Sequence, residues 1–262
     1  AKTQQQIASD FAFVAGCNIG GEYMADEKIA RLGRIAARTW VRHLDDRIGI
    51  SWEEAAHKNR QPAPKLPVVE PLLADKPEHV IPRADPNPFD GNPHGFTMRV
   101  PEAQYKLGEL YNLSIPKGTL SPEDRFKINE HIIQTIIMLN RLEFPDYLTN
   151  VPEFAGAHHE TMTGSGYPRG LKKEQMSIPA RIMAIADIFE ALTAADRPYK
   201  TPKTLNEALG IMSRMRDDGH IDADLFDLFL QSGVHRAYGE RYLDPAQLDA
   251  VDVEAYLSGS PR

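Results

Sequence analysis

The chain has 262 residues, of which 42% are hydrophobic and 26% charged, the proportions of an ordinary globular protein with enough length to bury a core. A net charge of -7 argues against non-specific binding to DNA, RNA or anionic membranes, which favours a basic face. Cys17 is the lone cysteine, which excludes a disulfide framework or thiolate metal cluster and points to a reducing, cytoplasmic setting. No apolar run reaches the roughly 20 residues of a membrane span, and a signal peptide pattern is absent at the start. The chain begins Ala1-Lys2-Thr3 without a methionine, so it reads as part of a longer protein, and an upstream sensory domain or a signalling protein is the expected partner.

From Met24 to Asp46 the apolar residues Ile29, Leu32, Ile35, Ala36, Trp40 and Leu44 recur at helical spacing, and the pattern predicts a helix. Ser51 then reads as an N-cap. Between Gln61 and Pro101 prolines are too frequent for regular structure, so residues 61–110 are expected to be an insertion or connector. Ser121-Pro122-Glu123-Asp124 supplies a capping hydroxyl, a proline at the first helical position and acids in the first turn, ahead of a helix carrying Phe126, Ile132, Ile133 and Ile136. Further helices are predicted over Val151 to Glu160, Pro179 to Ala195, Leu205 to Met215 and Asp222 to Gln231. No alternating strand pattern or internal repeat is present, and the expected class is all-α. Residues 1–60 are assigned to an N-terminal helical part and 111–262 to a helical core, within one structural domain.

The chemistry concentrates around His158-His159-Glu160 and the loop Gly164-Ser165-Gly166-Tyr167-Pro168. Two imidazoles beside a loop of small residues suit a metal next to a position that a substrate can approach closely. Asp187 interrupts an apolar helix between Ala186 and Ile188, so its carboxylate is expected to be buried and to need compensation. Two readings stand: a metal, or an ion pair with a nearby arginine such as Arg181. His131 alone reads as a surface or core histidine. Together with His158, His159 and Asp187 it makes a plausible first coordination sphere for Fe, Mn or Zn. Arg197 and Lys200 follow the Asp187 helix and suit either a phosphate diester or the helix's last carbonyls.

These motifs, from Ser121 to Asp224, resemble the HD-GYP family of metal phosphohydrolases. The resemblance implies an HD-domain-like helical bundle with a long proline-rich insertion, iron or manganese at the site, and hydrolysis of cyclic di-GMP or a related cyclic dinucleotide. Carried over by position, His131, His158, His159 and Asp187 correspond to metal ligands, Gly166 and Tyr167 to the substrate loop, and Arg197 and Lys200 to the phosphate-binding pair. The family's His-Asp dyad is absent. Counting back from Gly118 sets Glu102-Ala103 at the dyad and Lys106 at the lysine after it; alternatively Leu72-Leu73-Ala74-Asp75 keeps the aspartate. Glu27 and Arg31 occupy the spacing of another Glu and His, where an arginine cannot bind metal. Glu27 and Asp75 are therefore secondary candidates, and one or two ions are expected. The dyad's absence leaves a second reading: a degenerate domain that binds nucleotide or a partner protein without turnover.

Overall fold

A computed structural model of the chain describes residues 2–195 and 202–259. Among the described residues ten α-helices dominate, with two small two-stranded sheets, so the class is all-α as the pattern of apolar residues predicts. Contacts divide the chain into two compact units, one of residues 1–88 and 100–128, the other of residues 89–99 and 129–262.

The first unit opens with α1 (Lys2–Ile19), whose one buried residue is Asp10. That carboxylate pairs with Arg31 at 3.2 Å and Arg38 at 2.8 Å, which ties α1 to α2 (Asp26–Ala36). The helix predicted to run to Asp46 stops at Ala36. Thr39-Trp40-Val41 is a β-branched and aromatic run, and it forms β1 (Thr39–Arg42) against β2 (Val68–Pro71). Arg42 donates to Glu70 at 2.9 and 2.7 Å across this pair, and Lys76 reaches the same carboxylate at 2.8 Å. Between the strands lies α3 (Trp52–Lys58), capped as expected by the Ser51 hydroxyl, which accepts the Glu54 N–H at 3.1 Å.

The proline-rich segment is less irregular than its composition predicts. It contributes β2 and a second ladder, β3 (Val80–Pro82) with β4 (Ala103–Lys106). Pro71 and Pro82 each occupy the last position of a strand, where a missing N–H does least harm to the ladder. A short helix, α4 (Glu109–Leu113), precedes α5 (Pro122–Leu139). Ser121 and Asp124 close the start of α5 reciprocally, the Asp124 N–H donating to the Ser121 hydroxyl at 3.1 Å and that hydroxyl donating to the Asp124 carboxylate at 2.7 Å.

The second unit contains the rest of α5, then α6 (Val151–Gly156), α7 (Ile178–Thr193), α8 (Leu205–Asp217), α9 (Ala223–Gln231) and α10 (Val234–Tyr242). Its main core joins α7, α8 and α9 through Ile185, Phe189, Leu209, Met212, Phe226 and Leu230. Thr204 and Glu207 form a capping box on α8, and Asp222 caps α9. A second cluster packs Ile132, Ile133 and Ile136 of α5 against Phe96, so residues 89–99 cover one side of that helix.

Candidate metal centre

The helix predicted through Glu160 ends at Gly156, and His158 and His159 follow it in a turn. Gly156 sits hard against Ile136, where a Cβ would lie 2.7 Å from the isoleucine side chain, so α6 abuts the His131 helix closely at this point. Leaving the helix frees the two imidazoles from the 100° divergence of consecutive helical residues. His131, His158 and His159 each offer a ring nitrogen, all within 4.8 Å of one another. The Nε2 atoms of His131 and His159 are 3.3 Å apart.

The His158 ring is oriented by its own backbone. Its Nδ1 is 2.7 Å from the Ala155 carbonyl, which can only accept, so Nδ1 carries the hydrogen and Nε2 of the neutral ring keeps its lone pair. Burial, then the neighbouring His158, with a smaller push from His131, lower the pKa of His159 to about 4 against the pull of Asp187. His159 is therefore neutral at pH 7. Converging imidazoles suit a divalent cation, and this donor set fits Fe, Mn or Zn alike.

Asp187 corrects one expectation. It is exposed, because the buried side of α7 is formed by Ala180, Ala184, Ile185 and Phe189. Its charge nevertheless acts on His159 and on the Tyr167 hydroxyl, whose pKa burial and Asp187 both raise. Nor does Asp187 pair with Arg181, which instead binds the buried carboxylate of Asp222 at the start of α9. Arg181, the arginine named for that pairing, is therefore committed elsewhere.

Gly166 and Tyr167 lie in a loop folded onto the histidine turn. The Tyr167 N–H donates to the His159 carbonyl at 3.2 Å, and the Tyr167 ring stacks on the His159 ring with centroids 4.8 Å apart. A Cβ on Gly166 would fall 2.6 Å from the Thr161 nitrogen, so this approach requires glycine. Glu160 holds the far side of the loop: fully buried, it accepts the N–H groups of Arg169 at 2.7 Å and Leu171 at 2.9 Å. The hydroxyls of Thr161, Thr163 and Ser165 lie 2.9 to 3.1 Å from one another and stiffen the loop between. Sequence reasoning missed these supports. The signal available was a carboxylate directly after a histidine pair and nine residues before the first backbone N–H it accepts.

The secondary candidates belong to the first unit. Glu27 is exposed on α2. Asp75 accepts the Tyr111 N–H at 3.1 Å and sits where a Cβ on Gly108 would collide with it, the position of a cap for α4. Of the other proposed dyad position, Ala103 is buried in β4, and Lys106 pairs with Glu123 at 3.6 Å. Arg197 and Lys200 lie outside the described residues.

A profile described as HD domain matches residues 67–225, more than half of the chain. The chain belongs to the HD domain family. Its histidine pair and Gly-Ser-Gly-Tyr-Pro loop place it in the HD-GYP branch. The 3'3'-cGAMP-specific phosphodiesterase 1 of Vibrio cholerae is 48% identical over 82 residues, 31% of this chain and 19% of that protein. The cyclic di-GMP phosphodiesterase of Thermotoga maritima is 40% identical over 103 residues, 39% of this chain and 27% of that protein. A probable cyclic di-GMP phosphodiesterase of Vibrio cholerae is 35% identical over 130 residues, 48% of this chain and 29% of that protein. The chain thus matches less than a third of the length of these relatives. Among the described residues no helix is long and apolar enough to cross a membrane.

Proposed function

We propose that this HD-GYP domain is the hydrolytic part of a metal-dependent phosphodiesterase acting on cyclic di-GMP or a related cyclic dinucleotide. The convergence of three imidazoles, one fixed by Ala155 and one neutral by burial, beside the glycine-tyrosine loop supports this reading most directly. His131, His158 and His159 would hold the ion, iron or manganese, and Asp187 on the open side of α7 would complete its sphere or hold a second one. A divalent metal supplies, when bound, acidification of a water and stabilisation of charge on the phosphoryl oxygens. Tyr167 stacks on the His159 ring, and Gly166 lets the substrate loop lie against the Glu160–Thr161 backbone. Arg197 and Lys200, assigned from sequence, would bind the phosphates. In the full-length protein, an upstream sensory domain or a partner protein in the cytoplasm would regulate this activity.

A second reading, nucleotide binding without turnover, is favoured by the commitments of the residues at the departing positions: Asp75, at one dyad placement, serves α4, and Arg31, at the separate histidine position, serves Asp10. Metal analysis combined with product detection from cyclic di-GMP in added Mn or Fe(II) separates the two. Linear dinucleotide or GMP supports hydrolysis; bound metal and nucleotide without product supports the second reading. His158→Ala is expected to abolish metal uptake, whereas Lys200→Ala weakens nucleotide binding and leaves metal content unchanged. Full metal occupancy in His158→Ala would refute the ligand assignment.

A further inference from the structure

A cavity of about 410 Å³ opens within the second unit, beside the starts of α8 and α10 and the segment that follows α10. Such a volume suits a small organic molecule. All of its lining residues except Leu205 lie beyond residue 225, where the HD profile ends, and none belongs to the metal centre. Its walls are aliphatic: Leu205 and Leu230 are buried, Val251 and Val253 half-buried. One polar ring lies among them. Gly233, at φ 73°, turns the chain out of α9, and the first turn of α10 brings His235 back against the end of α9. There the imidazole meets the Phe229 ring edge to face with centroids 5.8 Å apart, and its Nδ1 is 3.4 Å from the Phe229 carbonyl. A carbonyl can only accept, so Nδ1 carries the hydrogen and Nε2 keeps its lone pair. His235 is 4% exposed, yet Nε2 has no partner among the described residues and is not sealed from solvent. The opening through which it is reached is the cavity that the ring lines.

A single imidazole acceptor among four aliphatic walls selects its ligand by chemistry. Burial, with a smaller push from Arg236, lowers the His235 pKa against the pull of the Phe229 carbonyl, so the ring is neutral at pH 7 and offers an anion no charge. The charged side chains of the lining, Arg236 and Glu254, are exposed, and Arg236 is paired with Glu240 at 2.9 Å. We infer that this cavity binds an uncharged, largely apolar molecule carrying one N–H or O–H donor, the chemistry of an indole or a simple phenol. The donor sits on His235 Nε2, and the apolar body lies against Leu205, Leu230, Val251 and Val253. A ligand without a donor leaves Nε2 unpaired, and a charged one gives up its hydration without a counter-charge among the walls. This site is independent of the nucleotide reading above.

The test compares indole with benzofuran as ligands of the intact chain in calorimetry; the two rings have nearly the same shape, and benzofuran has an oxygen where indole has its N–H. The native protein is expected to bind indole about fivefold more tightly than benzofuran, the factor that one hydrogen bond supplies. His235→Phe keeps an aromatic ring and removes the acceptor, so it should bring indole down to the affinity of benzofuran and leave benzofuran unchanged. Val253→Trp fills the cavity and should abolish binding of both ligands while the far-UV circular dichroism stays native. If His235→Phe does not fold, the native preference and Val253→Trp still decide. Equal native affinities for the two ligands overturn the assignment, as does native binding of neither up to its solubility. A preference retained in His235→Phe, or binding unchanged in Val253→Trp, overturns it as well.

Discussion

Glu160→Gln tests how the loop that carries Gly166 and Tyr167 is held. The carboxylate is fully buried and accepts two backbone N–H groups, from Arg169 at 2.7 Å and Leu171 at 2.9 Å. Burial raises the Glu160 pKa against the pull of these N–H groups, so the usual 1.5–3 kcal/mol for each hydrogen bond to a charged acceptor makes about 3–6 kcal/mol an upper bound for the pair. Glutamine keeps one carbonyl acceptor and turns an NH2 toward the other N–H, donor against donor. About half of the contribution should therefore be lost, at most about 2–3 kcal/mol in urea unfolding, a substantial part of a typical 5–15 kcal/mol. Because Tyr167 hangs from this loop and stacks on His159, the same variant should bind manganese more weakly although it alters no ligand. Equal unfolding midpoints and equal manganese affinity for the native protein and the glutamine variant would show that the loop is held by something other than Glu160.

Other substitutions probe the same framework. Gly166→Ala sets a methyl 2.6 Å from the Thr161 nitrogen and must displace backbone; a loss of at least 1–3 kcal/mol in thermal or urea unfolding is expected, and a neutral outcome would contradict the close approach. Burial opposes ionisation of Asp222, but Arg181, the Leu225 N–H and Lys173 outweigh it and hold its pKa below the usual value. Its stabilisation is therefore complete above the ordinary carboxylate range and lost as pH falls through the lowered value, so Asp222→Asn should flatten the acid limb of the stability profile. Removing this partner also leaves the Arg181 guanidinium uncompensated, at a cost of about 3–5 kcal/mol if its site stays dry. Burial, and then donation to Glu123 at 2.7 Å, raise the Tyr111 phenol to about 12. The bond's contribution is intact below the ordinary phenol range and lost as pH rises through about 12; a tyrosinate absorbance titration of Tyr111→Phe against the native protein should lack one late-ionising group. An ordinary titration midpoint for that group would contradict the pairing.

Much of the helical framework was legible because helices announce themselves locally. Ser51 and Ser121 are capping side chains in the sequence and in the fold, since a cap depends on residues within one turn. Trp40 fits both a helical and a strand period, and the choice of β1 is made by Val68 and Val69, distant in sequence, which offer it a ladder. Asp187 was misjudged for a related reason: an apolar sequence around a carboxylate predicts burial only if every apolar neighbour is itself buried, and Ile182 and Met183 are not.

The sequence by itself determined the helical class and the family, and it named His131, His158, His159, Gly166 and Tyr167 as a group, because residue type and spacing carry the ligand chemistry. The tertiary structure decided how that chemistry is poised: that the histidine pair leaves its helix, that Ala155 orients the His158 ring and burial keeps His159 neutral, that Glu160 holds the loop, and that Asp187 stands on the open side of α7. Those properties arise from groups far apart in the chain meeting in space, where burial and hydrogen-bond partners set protonation and orientation that no single residue type encodes.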